Sequence, residues 1–217
     1  MASQRGIFIT FEGIDGCGKT TQMRMLGERL RREGYKVLET AEPGGTSIGV
    51  QIRRILLDSA NQELCPTAEL LLYFACRAQN VEEWILPALE KGAILLSDRF
   101  TDSTTVYQGA ARGLGEETVR VLDGIACHGL VPDLTVLVDI DLETSLGRAK
   151  NRALSKTETR MDEQALEFHR KAREAYLWLA AREPQRFRII DGRREVEAVA
   201  QSVWEAVAPA LRKLDVS

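Results

Sequence analysis

The chain has 217 residues, a length that fits one α/β domain spanning residues 1–217, and 44 % of its residues are apolar, enough for a full core. Its 29 basic and 32 acidic residues give a net charge of −3, without the basic surplus of proteins that bind long polyanions, so we expect no nucleic-acid partner. The sequence contains neither the apolar core of a signal peptide nor an apolar run long enough to span a bilayer, so we expect a soluble cytoplasmic protein with no membrane partner.

The cysteines indicate a reducing compartment. Cys17, Cys65, Cys76 and Cys127 are not spaced as CxxC pairs, and only two histidines accompany them. We therefore expect neither a structural zinc site nor a disulfide framework.

Strand-like and helix-like segments alternate along the chain. Short apolar runs predict five strands, at residues 7–11, 36–40, 93–97, 134–140 and 187–190. Helical spacing predicts helices at residues 21–32, 47–58, 67–91, 142–149, 162–182 and 195–213, and a mostly helical stretch at 102–127 with loops around 109–115. We expect the third helix to be interrupted near Pro87, because proline cannot donate the helical hydrogen bond. Such an alternation predicts an α/β fold with a five-stranded parallel sheet, helices on both faces, and ligands beyond the carboxyl ends of the strands.

A glycine-rich segment lies between the first predicted strand and the first predicted helix. It fits the pattern GxxxxGK followed by Ser or Thr, with the residues Gly13, Ile14, Asp15, Gly16, Cys17, Gly18, Lys19 and Thr20. The glycines let backbone N–H groups point at phosphate oxygens, and the helix N-terminus adds a positive field. Lys19 can reach the β- and γ-phosphates, and Thr20 can bind Mg²⁺. A chance glycine-rich turn is the alternative, but the strand–loop–helix context favours a P-loop that holds a nucleoside triphosphate in a P-loop NTPase fold.

Two charged residues follow the third predicted strand. Asp98 faces the same sheet edge as the P-loop and could hold Mg²⁺ directly or through water, whereas its alternative role is to cap the next helix. The planar fork of Arg99 suits a phosphate, whereas its alternative is a solvated surface position.

Further segments resemble the thymidylate kinase family, whose members phosphorylate dTMP to dTDP. The resemblance is carried by the P-loop with Asp15, by EPGGT at residues 42–46, by Tyr73 and Arg77 spaced four apart, by DRF at 98–100 and by YQG at 107–109. It runs from the first strand to about Tyr176, and EPGGT together with DRF and YQG is far more specific than the P-loop. The resemblance implies an enzyme of dTTP synthesis that uses ATP and Mg²⁺ and forms a homodimer.

The family resemblance also implies which residues contact the base of dTMP. Tyr73 would stack on the thymine ring, and Arg77 would read its edge. Ser103, Thr104 and Gln108 would contact the base or its surroundings. A plainer reading makes Tyr73 a core aromatic residue, and Ser103 and Thr104 helix caps.

Other residues would hold the sugar and phosphate of dTMP. The resemblance implies that Arg53 and Arg99 bind the monophosphate and that Asp15 meets the 3′-hydroxyl group. Glu42 would order the acceptor side, and Tyr107 would crowd the 2′ side against ribonucleotides. Loop solvation is the alternative for Asp15 and Glu42, and simple packing is the alternative for Tyr107.

The sequence departs from the family pattern at three positions. Phe100 stands where Tyr or His is more usual, which removes any hydroxyl contact, and Tyr73 stands where Phe is common. Gly16 stands where one branch of the family carries an arginine that touches the γ-phosphate. The resemblance therefore favours the other branch, in which a mobile lid supplies the catalytic arginine.

A polar segment at about residues 148–160 resembles such a lid. Its basic residues in or beside the segment are Arg148, Arg152, Lys156 and Arg160. Arg160 is the first candidate and would share the charge of the transferring group with Lys19 and Arg99. Residues 13–20, Thr21, Arg148 and Arg152 complete the expected ATP site. A solvated run of charges is the alternative.

Other functions remain open from the sequence alone. One is a different monophosphate kinase, or a nucleoside kinase that uses Glu42 as its base. Another is a nucleotide-dependent switch or regulatory ATPase that makes no phosphorylated product. A catalytically inactive relative is disfavoured because Lys19, Thr20, Asp98 and Arg99 are all present.

Overall fold

A five-stranded parallel sheet with strand order β2-β3-β1-β4-β5 forms the centre of the molecule, a computed structural model that describes residues 5–153 and 166–212. The strands are β1 (Phe8–Glu12), β2 (Val37–Ala41), β3 (Ile94–Asp98), β4 (Leu134–Asp139) and β5 (Phe187–Asp191). Both β1 and β3 are buried along their whole length, so their sequences are apolar without alternation. The predicted parallel α/β sheet is confirmed.

Helices cover both faces of this sheet. They are α1 (Lys19–Arg32), α2 (Ser47–Leu57), α3 (Pro66–Asn80), α4 (Leu86–Glu90), α5 (Thr101–Thr104), α6 (Glu116–Ala126), α7 (Leu142–Ala153), α8 (Leu166–Arg182) and α9 (Val196–Leu211). Alternate residues of β1 enter different cores: Ile9 and Phe11 pack in the core formed with α1, α8 and α9, whereas Phe8 packs in the core formed with α3, α4 and α6. Among the described helices, none is long and apolar enough to cross a membrane.

The predicted interruption near Pro87 is confirmed, and it takes the form of a wider helical turn. A π-helical segment, Val81–Ile85, connects α3 to α4, and Pro87 lies in the first turn of α4. Proline lacks an N–H and its ring crowds the carbonyl four residues earlier, so the extra residue in this turn relieves the clash. A second π-helical segment, Thr105–Ala111, follows α5.

The carboxyl ends of β1, β2 and β3 meet at one edge of the sheet. The Arg99 N–H donates to the carbonyl of Phe11 (3.0 Å), and the Glu42 N–H donates to the carbonyl of Asp98 (2.9 Å). The loops that follow β1, β2 and β3 therefore begin next to one another, beside the central strand β1. In open parallel sheets this is where ligands bind.

A buried ion pair ties the sheet to its helices below this edge. Arg186, just before β5, donates from Nη1 and Nη2 to the two carboxylate oxygens of Asp102 on α5 (2.6 and 2.8 Å). Its Nη1 also donates to Thr135 Oγ1 on β4 (2.6 Å). These groups satisfy one another where water has little access.

Candidate active site

The segment after β1 forms the predicted P-loop around glycines with left-handed backbone. Gly13 has φ 137°, and a Cβ atom there would lie 2.5 Å from the carbonyl oxygen of Val138, so only glycine fits. The Lys19 side chain is 8 % exposed, and its Nζ lies 3.7 Å from Asp15 Oδ1. The loop thus carries a nearly buried positive charge at the N-terminus of α1, as phosphate binding requires.

Thr20 and Asp98, the two predicted magnesium ligands, lie in direct contact. The Thr20 hydroxyl donates to Asp98 Oδ2, although the residues are far apart in the sequence. Phe100 is the N-cap residue of α5, so Asp98 does not cap that helix. The alternative role for Asp98 is therefore wrong. The hydroxyl and the carboxylate would together suit Mg²⁺, which usually takes one or two protein ligands beside substrate phosphates.

Arg99 connects the P-loop with the helix that follows β3. Its Nη1 donates to the Gly13 carbonyl (3.2 Å), to Ser103 Oγ (2.9 Å) and to Tyr176 OH (3.1 Å), and its Nη2 donates to Asp15 Oδ1 (2.7 Å). The backbone of Arg99 is left-handed, with φ 74°, which is rare for a residue with a side chain. Arg99 is thus held in place by four acceptors and is not a solvated surface residue.

A buried carboxylate that sequence reasoning missed lies beneath Arg99. Glu12 ends β1 and accepts hydrogen bonds from Phe100 N (2.7 Å), Ser103 Oγ (2.6 Å) and Tyr176 OH (2.8 Å). Burial, reinforced by the negative charge of Asp102, raises the pKa of Glu12 to about 7. The one signal in the sequence is a carboxylate at the end of an otherwise apolar strand, directly before the P-loop.

On the acceptor side, Glu42 organises the segment after β2. It accepts from Arg77 Nε (2.6 Å) at one carboxylate oxygen and from Asn80 Nδ2 (3.0 Å) at the other. Arg77 is buried; its Nη2 donates to Thr104 Oγ1 (3.0 Å), whereas its Nη1 has no hydrogen-bond partner among the described residues. Loop solvation is therefore wrong for Glu42. The Thr104 side chain accepts from Arg77 and makes no capping hydrogen bond to the helical segment that follows it.

Arg53 and Tyr73, which were also expected on the acceptor side, lie on α2 and α3, two helices that pack together. Arg53 on α2 is exposed and donates from Nη1 to the carbonyl of Pro43 (2.7 Å). Tyr73, four residues before Arg77 on α3, is half-buried. Phe100, the family departure, is buried with its ring edge-on to Phe8 at 4.9 Å, so it serves as packing.

Tyr107 and Gln108 follow in the π-helical segment Thr105–Ala111. Tyr107 is buried, and its hydroxyl has no hydrogen-bond partner among the described residues. Gln108 is also buried and donates from Nε2 to Oε1 of Glu69 (2.8 Å). Sequence reasoning missed Glu69, because a single glutamate in a helix has no pattern that marks it as buried.

Beside the P-loop lies a cleft of about 360 Å³. One wall is residues 16–22, which include Thr21, and the other contains Arg148, Gly192 and Arg194. Arg148 on α7 donates from Nη1 to the Gly192 carbonyl (3.1 Å). Arg194 was not predicted, since its loop after β5 has no motif.

Most of the predicted lid lies outside the residues that the structure describes. Arg160 and Lys156 lie outside the described residues, and so does the side chain of Arg152. Their assignment to ATP binding and catalysis stays a prediction.

Comparison with known proteins gives one consistent family. The family model described as thymidylate kinase matches residues 11–203. The chain is 53 % identical over 201 residues to a thymidylate kinase of Pelobacter propionicus, covering 91 % of this chain and 92 % of that protein. It is 51 % identical over 208 residues to a thymidylate kinase of Caldanaerobacter subterraneus, covering 96 % and 98 %. A crystal structure of thymidylate kinase from Ehrlichia chaffeensis superposes with a TM-score of 0.76 at 30 % identity, covering 94 % of this chain and 99 % of that one.

The motifs of the P-loop, of the acceptor side and of the end of β3 all lie within the residues that the family model matches. The likeness in sequence and in structure extends over nearly the whole chain. The chain belongs to the thymidylate kinase family.

Proposed function

We propose that the chain transfers the γ-phosphoryl group of ATP to dTMP, giving dTDP and ADP, and thereby contributes to dTTP synthesis. Membership of the thymidylate kinase family supports this activity. The observation that carries it in the structure is the position of Arg99, whose guanidinium touches both the P-loop and the acceptor-side helix α5. Phosphoryl transfer depends mainly on placing two anionic groups in line and neutralising their charge, and Arg99 lies where both would meet.

On the donor side, the P-loop and the cleft beside it would hold ATP. The proposed residues are Gly13, Ile14, Asp15, Gly16, Cys17, Gly18, Lys19, Thr20, Thr21, Arg148 and Arg152. Thr20 and Asp98 would hold Mg²⁺, which would neutralise phosphate charge when bound. Lys19 and Arg99 would stabilise the charge of the transferring group from two directions.

On the acceptor side, the groups around Glu42 would hold dTMP. The proposed residues are Asp15, Glu42, Arg53, Tyr73, Arg77, Arg99, Ser103, Thr104, Tyr107 and Gln108. Arg77 supports this proposal most directly, because a buried guanidinium N–H without a partner among the described residues is satisfied when a ligand supplies an acceptor.

The pairing of Glu42 disfavours a nucleoside kinase. A nucleoside acceptor needs a base to remove the proton of its 5′-hydroxyl group, whereas a monophosphate acceptor already carries an ionised oxygen. Both carboxylate oxygens of Glu42 are engaged, one by Arg77 and one by Asn80. Glu42 is therefore better suited to holding Arg77 than to moving a proton.

An acceptor panel tests the proposed function. The protein is mixed with ATP, Mg²⁺ and each nucleoside monophosphate in turn, and the diphosphate is measured. We expect dTDP to form fastest. ATP hydrolysis to ADP without phosphorylation of any acceptor would favour the switch or regulatory ATPase instead, and faster reaction of another monophosphate would reject dTMP as the acceptor.

We further propose that the lid supplies the catalytic arginine, with Arg160 as the first candidate. Gly16 has no side chain with which to reach the γ-phosphate, so the additional positive charge must come from elsewhere. Arg160→Ala should lower kcat by about 100-fold and leave the KM for dTMP within a few-fold, because the lost contact is made in the transition state. Arg120→Ala, which removes an exposed ion pair with Glu117, is the matched control and should change kcat by less than about twofold. An equal loss in kcat and in dTMP affinity would remove Arg160 from this role.

A homodimer is the proposed assembly. Apolar side chains are exposed on three helices that pack in sequence, α2 on α3 and α3 on α6, and they include Ile55, Leu71 and Ile125. A second copy covering these side chains would remove apolar surface from water. Sedimentation of the wild type and of Ile125→Glu checks this, since the substitution should shift the mass towards a monomer.

A further inference from the structure

A buried glutamate on α3 faces the amide of Gln108. Glu69 is 0 % exposed, and its Oε1 accepts from Gln108 Nε2 at 2.8 Å. Its Oε2 accepts from Arg112 Nη2 at 3.2 Å, so the carboxylate lies beside an opposite charge. A carboxylate paired in this way only accepts hydrogen bonds, so the NH₂ end of the Gln108 amide must face Glu69.

This arrangement determines what the other end of the amide presents. The hydrogen bonds that the Gln108 side chain makes with described residues are confined to Nε2, and its Oε1 is left as an acceptor. On α3, Glu69, Tyr73 and Arg77 recur every four residues and therefore lie along one face. That face also presents Arg77 Nη1, a buried donor without a partner among the described residues. Arg77 Nη1 and Gln108 Oε1 together offer a ligand one donor and one acceptor.

We infer that Glu69 is a positioning residue that sets base specificity: it holds the Gln108 amide so that its carbonyl oxygen faces the nucleobase and selects a pyrimidine with a hydrogen on N3. This inference rests on the proposed function, since it takes dTMP as the acceptor. Gln108 and Arg77 would contact the base, whereas Glu69 acts only through Gln108.

The donor and acceptor pattern of thymine matches this face. Thymine offers N3–H as a donor and O4 as an acceptor, which complement Gln108 Oε1 and Arg77 Nη1. Cytosine reverses both groups, with an acceptor at N3 and an amino group at C4. A site with buried polar groups rejects such an analogue strongly, because those groups are left unpaired. If the Gln108 amide turned over, its NH₂ group could donate to N3 of cytosine.

The test compares two acceptors that differ only at these positions, dTMP and 5-methyl-dCMP. In Glu69→Gln the neutral amide can donate as well as accept, so Gln108 gains its second orientation. The ratio of kcat/KM for dTMP to that for 5-methyl-dCMP is expected to fall by about tenfold or more. A purely structural role would lower both kcat/KM values together and leave their ratio unchanged.

A double-mutant cycle shows whether Glu69 acts through Gln108. Gln108→Met removes the amide, so adding Glu69→Gln in that background should change the ratio by less than about twofold. An equal change of the ratio in both backgrounds, or no change from Glu69→Gln in the wild-type background, would overturn the inference.

Two further measurements keep the outcome decisive. Glu69→Asp keeps the negative charge beside Arg112 but withdraws the acceptor by one methylene, so it too should lower the ratio. It replaces Glu69→Gln in the test if circular dichroism shows that Glu69→Gln does not fold. Wild-type turnover of dTMP is measured in the same assay. Its absence would reject the proposed function, whereas normal dTMP turnover with an unchanged ratio in both Glu69 variants would reject the positioning role alone.

Discussion

Arg99 combines a left-handed backbone with a guanidinium that meets acceptors from three parts of the chain. Its Nη1 and Nη2 reach Gly13 and Asp15 in the P-loop, Ser103 on α5 and Tyr176 on α8, at 2.7 to 3.2 Å. A lysine carries one compact ammonium group and cannot form the same fork. Substitution at this position therefore separates the need for positive charge from the need for geometry.

Arg99→Lys should lower kcat/KM for dTMP by about 100-fold, because charge remains but the bridge between loop and helix is lost. Steady-state kinetics measure this. Arg120→Lys, at an exposed ion pair with Glu117, is the matched control and should change kcat/KM by less than about twofold. Retention of more than a third of the activity by Arg99→Lys would show that charge alone is sufficient.

Glu12 makes folding stability depend on pH near neutrality. Its folded-state pKa of about 7 lies above the ordinary glutamate pKa of 4.5, so the folded state keeps the proton to a higher pH than the unfolded state does. The stabilising contribution of neutral Glu12 is complete below pH 4.5 and is lost as the pH rises through about 7. Glu12→Gln removes this titration.

Between pH 5 and pH 8, wild type should therefore lose about 2 to 3 kcal/mol of unfolding free energy relative to Glu12→Gln. Urea unfolding of both proteins across this range measures the difference. A constant difference at every pH would mean that Glu12 ionises at its ordinary pKa in the folded protein.

At the scale of elements, α2 depends on a close approach between two glycines. A Cβ atom on Gly49, near the start of α2, would lie 2.2 Å from the carbonyl oxygen of Gly44. Gly49→Ala should therefore lower the unfolding free energy by about 1 to 3 kcal/mol and raise the KM for dTMP, since Arg53 moves with the helix. Gly124→Ala on α6, where a Cβ atom meets nothing within 4 Å, is the control and should add about 0.5 to 1 kcal/mol. Equal effects of both substitutions on stability would contradict the close approach.

The elements themselves were predictable because their patterns are local. Buried strands such as β3 are short apolar runs, and α8 has apolar residues at helical spacing. Pro87 predicted an irregular turn because its ring imposes one wherever it lies in a helix. The π-helical segment Thr105–Ala111 was expected as helix up to about residue 108 and as loop beyond it, since no residue type specifies a π-turn.

The charged groups of the site were predictable, but their partners were not. Lys19 and Arg99 lie in motifs, which place them at the sheet edge from sequence alone. Glu12 binds Phe100 and Tyr176, which lie 88 and 164 residues away, so no local pattern connects them. A buried carboxylate and a solvated one also look alike in a sequence. What was missed is therefore the layer of side chains that hold the motif residues in place.

At the scale of the whole molecule, the Asp102–Arg186 pair joins α5 to the sheet. Both side chains are nearly buried, so removing one partner leaves an uncompensated charge away from water. Arg186→Leu should lower the unfolding free energy by about 3 to 5 kcal/mol. Arg182→Leu removes the exposed pair with Glu116 and should change the unfolding free energy by less than about 1 kcal/mol. Denaturant unfolding compares the two, and similar losses would show that burial does not distinguish these pairs.

The two-sided contact of Arg99 has a consequence for how each nucleotide affects the affinity for the other. Because one guanidinium serves both the loop that would grip the donor and the helix beside the acceptor, occupancy on either side shifts the same set of hydrogen bonds. Linkage then requires reciprocity: if ATP tightens dTMP binding by some factor, dTMP tightens ATP binding by the same factor. The factor can be measured in two independent ways. One is the dissociation constant of dTMP with and without a non-hydrolysable ATP analogue, and the other is that of the analogue with and without dTMP; the two ratios should be equal.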